Sequence, residues 1–297
     1  MKRFSILLLL ATALTTSAAA QPVMSQRAML KFPTYLPFED ANVEWQRDVY
    51  REIDLTKGDN GGLGLANEPN IFSTVFMLAV DGMIPAYEYS LTGNEVFDNS
   101  TKVDMKELMK NFQITYTEED GELNVEDSDI PSTEVSMYYI REKVYYDKAN
   151  STYRTRVAAF CPVLVLDDDF GDGKVKYPMF WIQYDDVEPY LMDFLVYASN
   201  YNKAAVMTAT DYFTRHLYKG EIYKVFNTQG YTLAQYCEND SLLAAERQHI
   251  EEQLQIVRTT TYKTRKQDSK ETVEGKKEII KRPTRIRLFG RRNKDNN

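Results

Sequence analysis

The residues best suited to chemistry in this chain are carboxylates set beside phenols. Tyr184-Asp185-Asp186-Val187-Glu188-Pro189-Tyr190 places three acids between two tyrosines. Paired carboxylates can protonate and attack a glycosidic bond, and aromatic rings stack on sugars. A cleft built here would suit a secreted glycan- or peptidoglycan-acting enzyme or binding module. Against that reading, the 39 acidic residues between positions 21 and 257 make such pairs unavoidable.

Other chemistries find less. Zinc sites draw on His and Cys at paired spacings, and His216, His249, Cys161 and Cys237 offer none. The loop starting at Asp167 matches a calcium loop at its first and third positions only. Its fifth is Gly171, and Pro178 stands where a bidentate Glu is needed. Gly58-Asp-Asn-Gly-Gly-Leu-Gly64 lacks the Gly-Lys-Ser/Thr of a phosphate loop and the third Gly of a dinucleotide turn, so it reads as a flexible connector. No G-x-S-x-G elbow occurs, and neither cysteine has the context of a nucleophile. No metal, cofactor or catalytic residue is expected.

The elements that would position these groups centre on residues 156–190. Arg156 to Leu166 is a nearly continuous apolar run, and Tyr177 to Tyr184 is aromatic and β-compatible. Between them lies a turn rich in Asp and Gly. Two strands of a central hairpin follow from that pattern, the first buried on both faces and covered by helices. Val135–Asp147 and Thr152–Leu166 predict antiparallel strands joined at 148–151, completing a meander that ends at Tyr184.

Around the meander, Val43–Leu55 satisfies both strand and helix spacing and is taken as a strand. Asn70 caps a helix over 71–79, and Asp104 with Glu107 has the form of a capping box. Pro85–Tyr89, Phe112–Tyr116 and Glu221–Phe226 predict strands. Helices are expected over 210–220, after Pro189 to Leu195, and from Ser241 with Asp240 as cap. Leu243, Ile250, Leu254 and Val257 stripe this last helix, either packing on the body or contacting a partner. Helix, Gly82 and strand, echoed by helix, Gly220 and strand, fit either a duplicated unit or coincidence. The fold class is α+β, with a mixed or antiparallel sheet whose central meander (about 135–184) is flanked by helices.

The ends of the chain differ from this body. Lys2-Arg3, the apolar run Ile6–Leu14 and Ala18-Ala19-Ala20 form a signal-peptide pattern, with cleavage expected between Ala20 and Gln21. The run is too short for a bilayer core that needs roughly 20 residues. Residues 21–42, with Pro22, Pro33 and Pro37, suggest an extended arm. Residues 258–297 carry 14 Lys/Arg against 5 Asp/Glu, a net of +9, leaving −19 for residues 21–257. This basic tail is too poor in large apolar residues to fold alone, and its charge draws it to acidic surfaces. Export turns it away from nucleic acid. Export also implies an oxidising compartment, where Cys161 and Cys237 are expected to form a disulfide worth about 4 kcal/mol. The alternative is two buried free thiols.

A string of motifs adds a resemblance. In order they are Ile53-Asp-Leu-Thr-Lys57, Ala86-Tyr-Glu-Tyr89, Asp127-Ser-Asp-Ile-Pro-Ser132, Asn150-Ser-Thr152 and Cys161-Pro-Val-Leu164. Lys176-Tyr-Pro-Met-Phe-Trp181, Tyr218-Lys-Gly-Glu-Ile-Tyr-Lys224 and Leu233-Ala-Gln-Tyr-Cys237 follow. Together, over about residues 43–255, they resemble the gliding-motility family GldN, also called PorN. The resemblance implies a non-catalytic periplasmic subunit of the type IX secretion system. Such a subunit would self-associate in a ring with an outer-membrane lipoprotein like GldK/PorK and engage the periplasmic part of a motor protein like GldM/PorM. The basic tail departs from the family pattern.

Overall fold

β4 (Val135–Asp147) and β5 (Thr152–Asp167) are the axis of the molecule, antiparallel and paired along nearly their whole length. β4 is rich in Tyr and β5 in Val, and such flat or branched side chains pack well on a pleated surface. Most β4 positions of both parities are buried, so the sheet has a core on each face. The computed structural model describes residues 43–256, apart from 65–68, 92–93, 149–151, 169–170, 172 and 203. The expected signal peptide, arm and basic tail lie outside the described residues.

β1 (Val43–Asp54) pairs with β4, and β10 (Glu221–Val225) with β1. On the other side β5 pairs with β6 (Lys174–Pro178), giving the order β10-β1-β4-β5-β6, all antiparallel. β7 (Ile182–Gln183) also pairs with β5, next to β6. Pro162 sits where β5 exchanges one neighbour for the other, so the missing proline N–H interrupts little of the ladder. Two hairpins lie outside this sheet, β2–β3 (Thr117–Glu119, Glu122–Asn124) and β8–β9 (Leu195–Tyr197, Val206–Thr208).

One face carries the largest cluster, built by α1 (Ile71–Val80), α2 (Met105–Asn111), α3 (Tyr184–Leu191) and α4 (Ala209–Thr214). α1 opens as expected: the Asn70 side chain accepts from the Ser73 N–H, and the Ser73 hydroxyl accepts from the Asn70 N–H. Beside this cluster a smaller one gathers Val49, Val144, Ile222 and Val225 under α5 (Leu233–Tyr236) and α6 (residues 240–256). The opposite face holds an aromatic cluster around Tyr50, Tyr139 and Trp181. Phe97 and Tyr89, from a largely irregular segment, cover it.

Several local expectations are corrected. Gly58–Leu63 is a packed 3-10 turn and not a loose connector. Asn60 stitches it to Asp54 and Lys219, and a Cβ on Gly62 would stand 1.9 Å from the Tyr197 carbonyl oxygen. Pro85–Tyr89 forms only isolated bridges from Tyr87 to Lys102 and Trp181, so the echo of Gly82 and Gly220 has no second sheet strand behind it. Residues 112–116 turn through Gln113 at φ 56°, and the strand starts at Thr117. The helix expected after Pro189 begins before it instead: α3 spans Tyr184–Leu191 with Pro189 inside it and Asp185 and Asp186 favouring its N-terminal turn, and Leu195 opens β8. α4 stops at Thr214, and His216 adopts φ 52°. Asp104 caps α2 through the Lys106 N–H, and Asn239, not Asp240, caps α6 through the Leu242 N–H.

Candidate functional site

Charged residues at inward positions are the feature that most needs explaining. In β1, Arg51 shares a parity with Val49 and Ile53, and in β4, Glu142 shares one with Ile140 and Val144. Both point into the core between the two clusters of one face. Arg51 Nε donates to Glu142 Oε2 at 2.8 Å, and its terminal nitrogens reach both Glu251 oxygens of α6 and the Gly220 carbonyl. Glu142 Oε1 accepts from the Tyr218 hydroxyl at 2.6 Å, with His216 Nδ1 3.5 Å away. The other His216 ring nitrogen lies 3.1 Å from the Thr155 carbonyl.

This arrangement explains two irregularities. The β1–β10 register shifts at Tyr50/Arg51, and the β4–β5 register shifts at Arg141/Glu142. A bulge re-aims a side chain, and here the two bulges flank the ion pair. Burial alone would raise the Glu142 pKa. His216, the Arg51 charge and the Tyr218 hydroxyl outweigh it and hold the carboxyl at about 2. The network therefore carries a permanent carboxylate, which is a structural tie and a poor general acid.

The aromatic face holds a second set of buried charges. Lys224 Nζ contacts both Glu95 oxygens at 3.1 and 3.2 Å and lies 4.8 Å from the Tyr50 ring centre. Arg141 pairs with Asp48 and stacks over Tyr50 and Phe97. Burial pushes the Tyr50, Tyr223 and Cys161 protons well above their ordinary range, so none of these is a ready nucleophile or base.

The carboxylates singled out from sequence all lie on α3. Asp185 binds Arg156 at 2.8 Å, and Tyr184 is buried against Phe213, ring centres 5.6 Å apart. Tyr190 packs on the main cluster, so the two phenols do not flank the acids. Burial raises the pKa of Asp186 and of Glu188, with the Asp185 charge adding to both.

The cysteines are also corrected: Cys161 and Cys237 are not bonded. Cys161 is fully buried in the aromatic cluster on β5, and Cys237 follows α5 beside the other face's smaller cluster. Of the α6 stripe, Ile250 and Leu254 are buried in this chain's own core and Leu243 packs against it, so the stripe is engaged within the molecule. Val257 lies outside the described residues, as do parts of the Asp167 loop. Among the described residues no group of His, Cys, Asp and Glu could hold a metal ion, and no helix is long and apolar enough to cross a membrane.

An open groove of about 450 Å³ remains, at the β6 edge of the sheet. Its floor is Lys176 to Met179, and its walls are the segment around Tyr89 and Leu91 and helix α2. The exposed carboxylates Glu88, Asp104 and Glu107 rim it. No sequence motif marked this groove, because it is formed by a strand edge and two distant segments.

No curated protein matches the chain. The family model described as gliding motility associated protein GldN matches residues 38–263, which takes in the whole described body. That match spans the sheet, both covered faces and α6, and the chain belongs to the GldN family of gliding motility associated proteins.

Proposed function

We propose that this GldN-family chain is a non-catalytic structural subunit of the type IX secretion and gliding-motility apparatus, working in the periplasm at the outer membrane. In this reading residues 1–20 are removed after export, 21–42 form an arm, 43–257 the assembling body and 258–297 a basic extension. The body builds a ring with a lipoprotein of the GldK/PorK kind and meets the periplasmic part of a GldM/PorM-like motor protein. The single observation that carries this is the family match over 38–263. The internal use of the charged groups supports it: Arg51, Glu142, Lys224 and Glu95 are all committed to one another or to neighbours inside the fold. Such groups rigidify a body that transmits contact and offer little to a substrate.

Co-expression with a lipoprotein of the GldK/PorK kind, followed by size exclusion with light scattering, tests the reading. A common high-mass peak is expected. Elution of the chain as a monomer in the presence of folded lipoprotein would overturn it.

A further inference from the structure

The two edges of the central sheet are treated differently. At the β10 edge, Arg247 of α6 donates its Nε to the Ile222 carbonyl at 3.0 Å and pairs with Glu221, so a helix covers that edge. At the β6 edge, Tyr87 bridges Trp181, its N–H and carbonyl bonding the Trp181 carbonyl and N–H at 2.8 and 2.7 Å. Beyond that point, along Lys174–Pro178, no described residue pairs with the outer side.

The register shows which groups face outward. Met179 N–H bonds to the Pro162 carbonyl, and Asp168 N–H to the Gly173 carbonyl. Hydrogen-bonded pairs alternate in an antiparallel ladder, so Tyr177 and Val175 bond to β5 while Lys174 and Lys176 point their N–H and carbonyl groups away from it. This unpaired row borders the groove rimmed by Glu88, Asp104 and Glu107.

We propose that this edge receives residues 284–289 of a second copy of the chain as an added strand. Within Thr284–Phe289, Arg285-Ile286-Arg287-Leu288 alternates basic and apolar residues with period two, the pattern of a strand with one buried face. Ile286 and Leu288 enter the groove beside Leu91 and Leu108, and Arg285 and Arg287 meet the carboxylate rim. Main-chain bonds supply affinity in such strand addition and the alternate side chains supply specificity. Two β6 edges would oppose each other poorly, since each presents Lys174 and Lys176.

The placement also sets how copies relate. α6, from which the tail continues, packs beside β10, while the receiving strand is at the opposite edge. Residues 257–283 set an upper reach of about 90 Å by chain length, enough to leave one body and reach the next. Donor at one edge and acceptor at the other make a heterologous contact that repeats from copy to copy. The inference deepens the ring reading and rests on the purified chain alone, so its failure leaves the lipoprotein assembly standing, and the reverse.

The test is light scattering of the full chain across concentration at low and high salt. Wild type is expected to self-associate, more weakly at high salt. Ile286→Asp with Leu288→Asp should weaken association about tenfold or more, and so should Lys176→Pro, which deletes one outward N–H. Lys176→Ala keeps that N–H and loses the contact with Glu52, and it should associate like wild type. The Lys176→Pro copy, with an intact tail, mixed with the tail variant, with an intact edge, should form a hetero-pair, which also shows that both are folded. Three outcomes would overturn the proposal. One is a wild type that stays monomeric. Another is tail or edge variants that associate undiminished. The third is a monomer whose Lys176 amide loses hydrogen-exchange protection in the tail variant, which places the tail in its own groove.

Discussion

Arg51 and Glu142 face each other from adjacent strands, Nε to Oε2 2.8 Å, in a gap between two hydrophobic clusters. Glu142→Ala leaves the guanidinium buried with only the half-exposed Glu251 as acid partner, at a cost of about 3–5 kcal/mol. Arg51→Met with Glu142→Leu removes both charges and should recover most of the loss. Urea unfolding of the three variants checks this, and a double variant as weak as the single would contradict it.

The same carboxylate sets an acid limit. Its folded pKa of about 2 lies below the ordinary 4.5, so the folded state binds fewer protons there than the unfolded one. The resulting stability is complete above 4.5 and is lost as pH falls toward 2. Asp186 and Glu188 act in the opposite sense, since burial raises them and favours the protonated fold. Urea midpoints followed down this range should fall more steeply for wild type than for Glu142→Gln.

Two free thiols of unequal access are expected. Without reductant, the unfolded chain should take up two equivalents of iodoacetamide. The native chain should react at the partly exposed Cys237 and not at Cys161, which is buried beneath Trp181 and Tyr139. Mass spectrometry of the labelled peptides decides it, and no uptake by the unfolded, unreduced chain would restore the disulfide.

Gly62→Ala should cost at least the roughly 1–3 kcal/mol of an overpacking change, because the obstacle is the Tyr197 backbone and not a movable side chain. Thermal melting reads the loss. Faster hydrogen exchange at Leu195–Tyr197 should localise it to the β8–β9 hairpin.

The parts legible in the sequence were those determined by neighbours in the chain. β4 and β5 carry their own pattern, and Asn70 with Ser73 closes its cap within three residues. The parts missed were decided from far away. The 210–220 run has helical spacing, yet it breaks at His216, whose ring lies against Glu142 and Thr155 in the sheet. The Gly58–Gly64 stretch has the composition of a loose loop, but Asn60 bonds Lys219, 159 residues downstream, and Gly62 packs on the Tyr197 backbone. Arg51 was in plain view among inward-facing residues, and its parity with Val49 and Ile53 was the available sign of a buried pair. The groove had no such sign, since an unpaired edge is a property of the sheet and not of β6.

β1, β4 and β5 are long, at 12, 13 and 16 residues, and lie side by side in antiparallel register. Tension applied along their common axis is shared by the whole inter-strand ladder at once. Tension applied across it would open the ladder one rung at a time, starting from an outer strand such as five-residue β10 or β6. The body is therefore mechanically anisotropic, stiff in one direction and peelable in the other. For a subunit of moving machinery, the angle at which neighbours grip it decides whether it bears the pull or unzips.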